Sequence, residues 1–133
     1  MLENLDSIRW DELEHAYGEA SDVPQMIRYL ASPDAEVREG ALWSLYGNIW
    51  HQGTVYEATA YAIPFLLELL EQSVVEDKHA ILIYLSNLAF GNSYAYAHQD
   101  LILFKDQRDT PEFQEQLRRE LDWVRLALSL IHI

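Results

Sequence analysis

The chain has 133 residues, no cysteine and a formal net charge of −13 at pH 7. This length predicts one domain with one core, and the lack of cysteine excludes disulfides and thiolate chemistry, as is typical of a reducing cytoplasm. Apolar runs such as residues 60–70 are too short to cross a bilayer, and no basic segment precedes an apolar one near the start. We therefore expect a soluble, cytoplasmic protein.

The negative charge is concentrated in the first part of the chain. Residues 1–77 contain 15 Asp and Glu against three Arg, whereas residues 78–133 are nearly neutral. Such a surface repels phosphate backbones, so we do not expect direct nucleic-acid binding. Two interpretations of the acidic excess stay open, namely ordinary solubility and electrostatic steering of a basic partner.

The first predicted elements are short helices. Apolar residues spaced by three and four over residues 7–17 predict an amphipathic helix that ends at Gly18. Asp22 before Pro24 is typical of the start of a second helix, which should run to about residue 31. Asp34 supplies the next cap and predicts a longer helix to about residue 50.

The middle of the chain predicts two more helices. The dipeptide Gln52-Gly53 breaks the chain, and Thr54 with Glu57 matches a capping box, so a helix should start at Thr54 and run to about residue 72. Pro64 lies inside this helix and predicts a kink or break near Ala62, because proline removes a backbone donor. A further helix is expected over residues 76–90.

The last third of the chain is less regular. Residues 91–109 form a long connection in which residues 101–104 are expected to make a short helix. Pro111 predicts the start of a closing helix over about residues 110–132. No β pattern competes with these helices. Residues 123–133 are apolar on too many sides to face water, so something should cover them, and a homodimer through this helix is one candidate.

The chain also resembles itself at an offset of 40 residues. This shift aligns Val23-Pro24 with Ile63-Pro64, Arg38 with Lys78 and Leu45 with Leu85. A fixed offset of this size is the signature of stacked supersecondary units. We predict an all-α fold, a short α-solenoid of two helical hairpins, at about residues 21–53 and 54–92, with flanking capping helices.

The repeat has the residue pattern of a known group. Asp34-x-x-Val37-Arg38, followed by Ala41-Leu42 and Leu45, resembles HEAT-like repeats, of the type also found in phycobilin-lyase-related proteins. The strings His51-Gln52-Gly53-Thr54-Val55-Tyr56 and Ala62-Ile63-Pro64-Phe65-Leu66 are similar to a group of bacterial HEAT-like proteins, some of which act as immunity factors against toxins. The resemblance spans roughly residues 6–90 and, more weakly, residues 120–125. It implies an α-solenoid that binds protein and offers no catalytic residue to carry over, and we expect no cofactor and no metal.

We therefore predict a non-enzymatic protein-binding module, of immunity or antitoxin type, that meets a basic partner. The residues predicted to bind it are acidic residues near the start of the chain and aromatic residues and histidines farther on. They are Asp11, Glu12, Glu14, Glu19, Asp22, Trp43, Tyr46, Trp50, His51, Tyr56, Tyr94, Tyr96 and His98. For the stripe Trp43, Tyr46 and Trp50, burial in the core is favoured over exposure to a partner.

Several alternatives stay open at this stage. Glu12 and His15 are spaced for two metal ligands, although an exposed polar face is the favoured interpretation. His51 is favoured as a cap at a helix C-terminus. Arg38 and Lys78 are favoured as an ion-pair ladder between repeats. A second functional hypothesis is an enzyme or ligand-handling protein with a cleft formed by His51, Tyr56, Tyr94 and His98, and a third is a structural subunit of an assembly.

Overall fold

The computed structural model describes residues 1–98 and 107–131, and it is mostly helical, as predicted. The helices are α1 (Val23–Tyr29), α2 (Ala35–Asn48), α3 (Glu57–Glu71), α4 (Lys78–Ala89), α5 (Tyr94–His98) and α6 (Pro111–Ile131). Two short 3-10 turns, Leu5–Ser7 and Trp10–Glu12, precede them. The expectation of an all-α fold without β structure is wrong in one respect, because two short antiparallel hairpins are present. They pair β1 (Glu14–His15) with β2 (Gly18–Glu19), and β3 (Trp50–His51) with β4 (Thr54–Val55).

The helix predicted over residues 7–17 is wrong, because tertiary hydrogen bonds override its short amphipathic pattern. Trp10 is buried and its indole N–H donates to the carbonyl of Leu5 at 2.8 Å. The amide of Ala16 donates to the carbonyl of Asn48 at 2.9 Å, which draws this segment onto α2. Gly18 has a φ of 118°, so it closes a β-turn and does not cap a helix.

The second hairpin explains the break at residues 52 and 53. Gln52 and Gly53 have φ values of 51° and 87°, and two successive positive values are the requirement of the turn that suits a tight hairpin. Thr54 consequently lies in β4 and not in a capping box. Helix α3 begins at Glu57, where the amide of Tyr56 donates to Thr59 Oγ1 at 2.8 Å.

The other helix boundaries are confirmed closely. Pro24 lies in the first turn of α1, and Asp34 Oδ1 accepts from the amide of Glu36 at 2.9 Å at the start of α2. Helix α3 continues through Pro64, so the break predicted near Ala62 is wrong. Helix α6 starts at Pro111, as predicted. The short helix predicted at residues 101–104 and the predicted end of the closing helix at residue 132 lie outside the described residues.

Helix α3 lies at the centre of the core. It packs against α1, α4 and α6, and its buried side chains include Ile63, Leu66 and Leu69. Helix α6 buries Ala127 and packs Leu130 against this core, so α3 covers one side of the apolar tail, while Leu126 remains exposed. Helix α3 therefore buries part of the apolar surface of α6 that the sequence predicts to be covered.

Burial in α2 repeats in α4 at an offset of 40 residues. Three pairs are buried at both positions, namely Ala41 with Ile81, Leu45 with Leu85, and Asn48 with Leu88. Arg38 of α2 is also buried, and its guanidinium reaches Asp77 at 2.6 Å and Glu76 at 3.3 Å, just before α4. Its counterpart Lys78 makes no ion pair with any described residue. Of the two predicted ion pairs between repeats, the one at Arg38 is therefore formed.

Candidate functional site

The two hairpins meet at the C-terminal end of α2. Tyr17 lies in the turn of the first hairpin, and its hydroxyl oxygen is 3.1 Å from Nε2 of His51 in β3 of the second. The two rings are arranged edge to face, with centroids 5.5 Å apart. His51 is thus a strand residue, and the predicted role as a helix C-terminal cap is wrong because the chain leaves the helix at Asn48.

A buried polar network fixes this corner of the fold. His15 Nδ1 accepts from the amide of Tyr17 at 3.0 Å, so Nε2 carries the proton and donates to Asp22 Oδ1 at 2.7 Å. The side-chain Nδ2 of Asn48 donates to Asp22 Oδ2 at 3.2 Å. The side chains of His15 and Asn48 are buried, whereas that of Asp22 is half exposed. One carboxylate therefore ties the first hairpin to the end of α2.

The predicted pair of Glu12 and His15 is not formed as a metal site. Both ring nitrogens of His15 already have protein partners, and Glu12 lies 3.5 Å from Arg9. Within the part of the chain that the structure describes, no three His, Asp or Glu side chains are grouped so that they would hold a metal ion.

Two exposed aromatic side chains flank a shallow depression beside this network. Trp43 is 81% exposed and Tyr17 is 74% exposed. The depression has a volume of about 250 Å³ and is also lined by Asp22, Gly47 and Asn48. The expected burial of Trp43 is wrong, because α2 turns Leu45 and Asn48 toward the core and leaves Trp43 on its solvent face.

The other two aromatic residues of the stripe pack within the chain. The ring of Tyr46 lies 4.5 Å from that of Tyr84 and 5.5 Å from that of Trp50, and its hydroxyl accepts from Asn87 at 2.8 Å. Tyr46 and Trp50 are half-buried against the core. Burial is therefore the main role of these two residues, and Trp43 is the accessible member of the stripe.

The five predicted acidic residues do not form one uniform face. Arg9 pairs with Asp11 at 3.1 Å and with Glu12 at 3.5 Å, and its hydrogen bond lowers the pKa of Asp11 below its usual value. Glu14 and Glu19 are exposed and stand opposite each other in the first hairpin. Neither of them forms an ion pair with a described residue. Two like charges at paired strand positions are unfavourable unless something else offsets them.

The cleft predicted from four residues is formed only in part. Tyr56 and Tyr94 line one cavity of about 370 Å³ with Arg119, Glu120 and Trp123. Burial raises the pKa of Tyr56 above its usual value. Glu120 is itself buried and accepts from the amide of Ala95 at 2.8 Å.

The two histidines of the predicted cleft do not line this cavity. His51 belongs to the paired hairpins, and His98 stacks on Tyr94 with centroids 4.2 Å apart. Tyr94 and Tyr96 are 41% and 50% exposed, which confirms that they are accessible. The predicted set of residues is therefore divided between two regions of the surface.

Tyr17 is the site residue that sequence reasoning missed. The spacing of apolar residues over 7–17 places it on the first predicted helix, as an apolar position. The signal in the sequence is an aromatic residue directly before Gly18. Glycine favours turns, and turns lie at the surface.

Comparison with protein-family models, with curated protein sequences and with solved structures found no match to this chain. The HEAT-like resemblance therefore stays a prediction that depends on the residues of the chain alone. None of the described helices combines the length and the apolar character needed to span a membrane.

Proposed function

We propose that this protein is a non-enzymatic protein-binding module whose anchors are Trp43 and Tyr17. The observation that carries the proposal is the exposure of these two large aromatic side chains, 81% and 74%, on either side of one depression. Tryptophan and tyrosine dominate the binding energy of protein interfaces. Single exposed apolar residues are common on protein surfaces, but here two aromatic side chains flank one depression, and Tyr17 is ordered by its contact with His51.

The charge beside the anchors favours a basic partner. Asp22 lines the depression, and Glu19 lies in the adjoining strand β2. The whole chain has a net charge of −13, so its field attracts a positively charged surface and accelerates encounter. An acidic module with aromatic anchors suits an immunity or antitoxin factor that meets a basic toxin domain in the cytoplasm.

The scaffold that we propose for this module is a short HEAT-like solenoid. The pairs α1 with α2 and α3 with α4 pack against each other, and burial in α2 and α4 agrees at an offset of 40 residues. The hydroxyl of Tyr84 on α4 donates to the carbonyl of Leu45 on α2 at 2.8 Å. Contacts of this kind between equivalent helices are typical of stacked repeats.

Capture from a lysate of the source cells tests the proposal. The tagged chain, its Trp43→Ala and Tyr17→Ala variants and a Phe90→Ala control are used as baits, because Phe90 is an aromatic residue of similar exposure, 88%, at another place. We expect a basic protein to be retained by the wild type and by Phe90→Ala, and to be lost with the other two variants. This loss should be greater at moderate than at low salt, because salt screens the attraction between the charges. Recovery of no protein, or equal recovery by all four baits, would contradict the proposal.

A ligand-handling function is the second candidate, and the cavity shared by Tyr56 and Tyr94 favours it. A buried carboxylate, Glu120, two tyrosines and Trp123 in one polar cavity provide groups that orient a small molecule. Tyr56→Phe would then weaken binding of a metabolite that co-purifies with the chain. Release of no small molecule from the denatured protein would count against this function.

Assembly through α6 is the third candidate. Leu126 is 47% exposed on this helix, although Ala127 and Leu130 pack inside the chain. Sedimentation of a Leu126→Glu variant against the wild type tests it. A wild-type protein that stays monomeric at high concentration would exclude a homodimer.

A further inference from the structure

An open cavity of about 500 Å³ lies between helix α3, helix α6 and the residues Asn4 and Ile8, which flank the turn Leu5–Ser7. This volume falls in the range of about 300–1,000 Å³ that is typical of small-molecule sites. The cavity shares no lining residue with the depression between Tyr17 and Trp43. A ligand here would therefore be independent of the proposed partner site.

The walls of this cavity are mainly apolar. Ile8, Phe65, Leu126 and Leu130 line it, together with the ring of Pro64. Phe65 is supported from behind by the buried ring of Trp10, with centroids 6.3 Å apart. An apolar body that enters the cavity would thus replace water on several preformed surfaces, which favours binding.

One charged side chain lines the cavity, and it is an acceptor. Glu68 is half-buried, and its Oε1 atom accepts from the amide of Leu2 at 2.6 Å, which fixes the carboxylate in place. No described lysine, arginine or histidine forms an ion pair with Glu68. A carboxylate in apolar surroundings is costly unless a cation pairs with it.

The proline removes one helical hydrogen bond beside the cavity. Pro64 has no backbone N–H, so it does not supply the donor that the carbonyl of Ala60 would receive in a regular helix. Ala60 and Pro64 both line the cavity. Because the carboxylate of Glu68 lines the same wall, a ligand that donates hydrogen bonds suits it better than one that only accepts them.

We propose that this cavity binds a small hydrophobic organic amine. Its ammonium group pairs with Glu68, and its hydrocarbon body lies against Pro64, Phe65 and Leu126. The acidic field of the whole chain attracts the same charge. The cavity shares no lining residue with the surface proposed to meet a protein partner, which is why we assign a free small molecule and not a side chain of that partner.

Three probes with the same hydrocarbon body test the assignment, namely n-hexylamine, n-hexanol and n-hexanoate. Each is titrated into the full chain at neutral pH, where the amine is charged, and binding is followed by the NMR shifts of Ile8, Leu126 and Leu130 methyl groups. We expect hexylamine to bind about tenfold or more tightly than hexanol, and hexanoate to bind least, because a charge-assisted hydrogen bond is the stronger kind.

Two matched variants locate the charge that matters. Glu68→Gln keeps an acceptor for Leu2 and should abolish the preference for the amine, while Glu71→Gln, on an exposed position of the same helix, should keep it. Equal binding of the three probes, no binding at all, shifts confined to other residues, or the same loss in both variants would each overturn the proposal.

Discussion

The hydroxyl oxygen of Tyr17 lies 3.1 Å from Nε2 of His51, although the two residues belong to different hairpins. Their rings meet edge to face, and the amide of Ala16 beside Tyr17 is bonded to the carbonyl of Asn48. The turn that carries Tyr17 is thus held over the end of α2, next to Trp43. An anchor that is already ordered loses less entropy on binding, which increases affinity.

Asp22→Ala should destabilise the fold, because its carboxylate accepts from both His15 and Asn48. Loss of the acceptor leaves two buried groups without a partner, and each such group costs about 1–3 kcal/mol. We expect the free energy of unfolding, measured with urea, to fall by about 2 kcal/mol. Glu19→Ala is the matched control, since Glu19 is exposed and its removal should change stability by no more than about 0.5 kcal/mol. Equal effects of the two variants would contradict the role of the network.

Arg38→Ala should destabilise the fold more than Arg118→Ala. Each arginine contacts two acidic side chains, but Arg38 is buried and also donates to the carbonyl of Ser32 at 2.8 Å, whereas Arg118 is 61% exposed on α6. Loss of the buried arginine removes its packed side chain and the donor to the Ser32 carbonyl, whereas exposed ion pairs contribute little. Thermal unfolding of both variants checks this, and Arg38→Lys should not restore stability because lysine lacks the planar fork.

A coupling measurement completes the test of this ion pair. Arg38 and Asp77 should be non-additive in a double-mutant cycle, since their side chains are 2.6 Å apart. Additive losses would show that the contact between α2 and the segment before α4 does not contribute as a pair.

Tyr84→Phe should change how stability depends on alkaline pH. Burial raises the pKa of Tyr84 well above its usual value, so the folded protein holds this proton more tightly than the unfolded chain does. The resulting stability is complete below about pH 10, the unfolded pKa, and is lost as the pH rises beyond it. The free energy of unfolding of the variant should therefore fall less steeply as the pH rises above about 10. At neutral pH the variant should be less stable by about 1 kcal/mol, because the hydrogen bond to the carbonyl of Leu45 is lost.

Urea unfolding at several pH values from about 8 to about 11 measures this dependence. Tyr29→Phe is the control, because the ring of Tyr29 is 41% exposed. A Tyr84→Phe protein that loses stability with pH as steeply as the wild type would refute the assignment.

Helices whose ends carry a local chemical signal could be predicted from the sequence. Pro24, Asp34 and Pro111 act within one turn of their own helix, so they mark the start of α1, α2 and α6 whatever lies around them. The hairpins depend on distant partners instead. Val55 donates to the carbonyl of Asn92, and Ala16 to that of Asn48, and no local pattern specifies such bonds.

The candidate site was predicted only in part for the same reason. Trp43 and Tyr46 have nearly the same apolar character in the sequence, and only the packing of Tyr46 against Tyr84 decides which of them faces solvent. The sequence predicts Asp22 as the start of a helix and as an acidic residue that meets a partner. Its hydrogen bond to buried His15 joins segments that the sequence places on separate helices. Exposure and pairing of this kind follow from tertiary packing.

The affinity of the captured partner for three versions of the chain tests the account most directly. Isothermal titration calorimetry of the wild type, Trp43→Ala and Phe90→Ala compares two exposed aromatic residues at different places. A hot-spot residue contributes about 2 kcal/mol or more, so Trp43→Ala should raise Kd about 30-fold, while Phe90→Ala should leave it within about twofold of the wild type. An unchanged Kd for Trp43→Ala, or an equal loss with Phe90→Ala, would contradict the assignment of the binding surface to Trp43 and Tyr17.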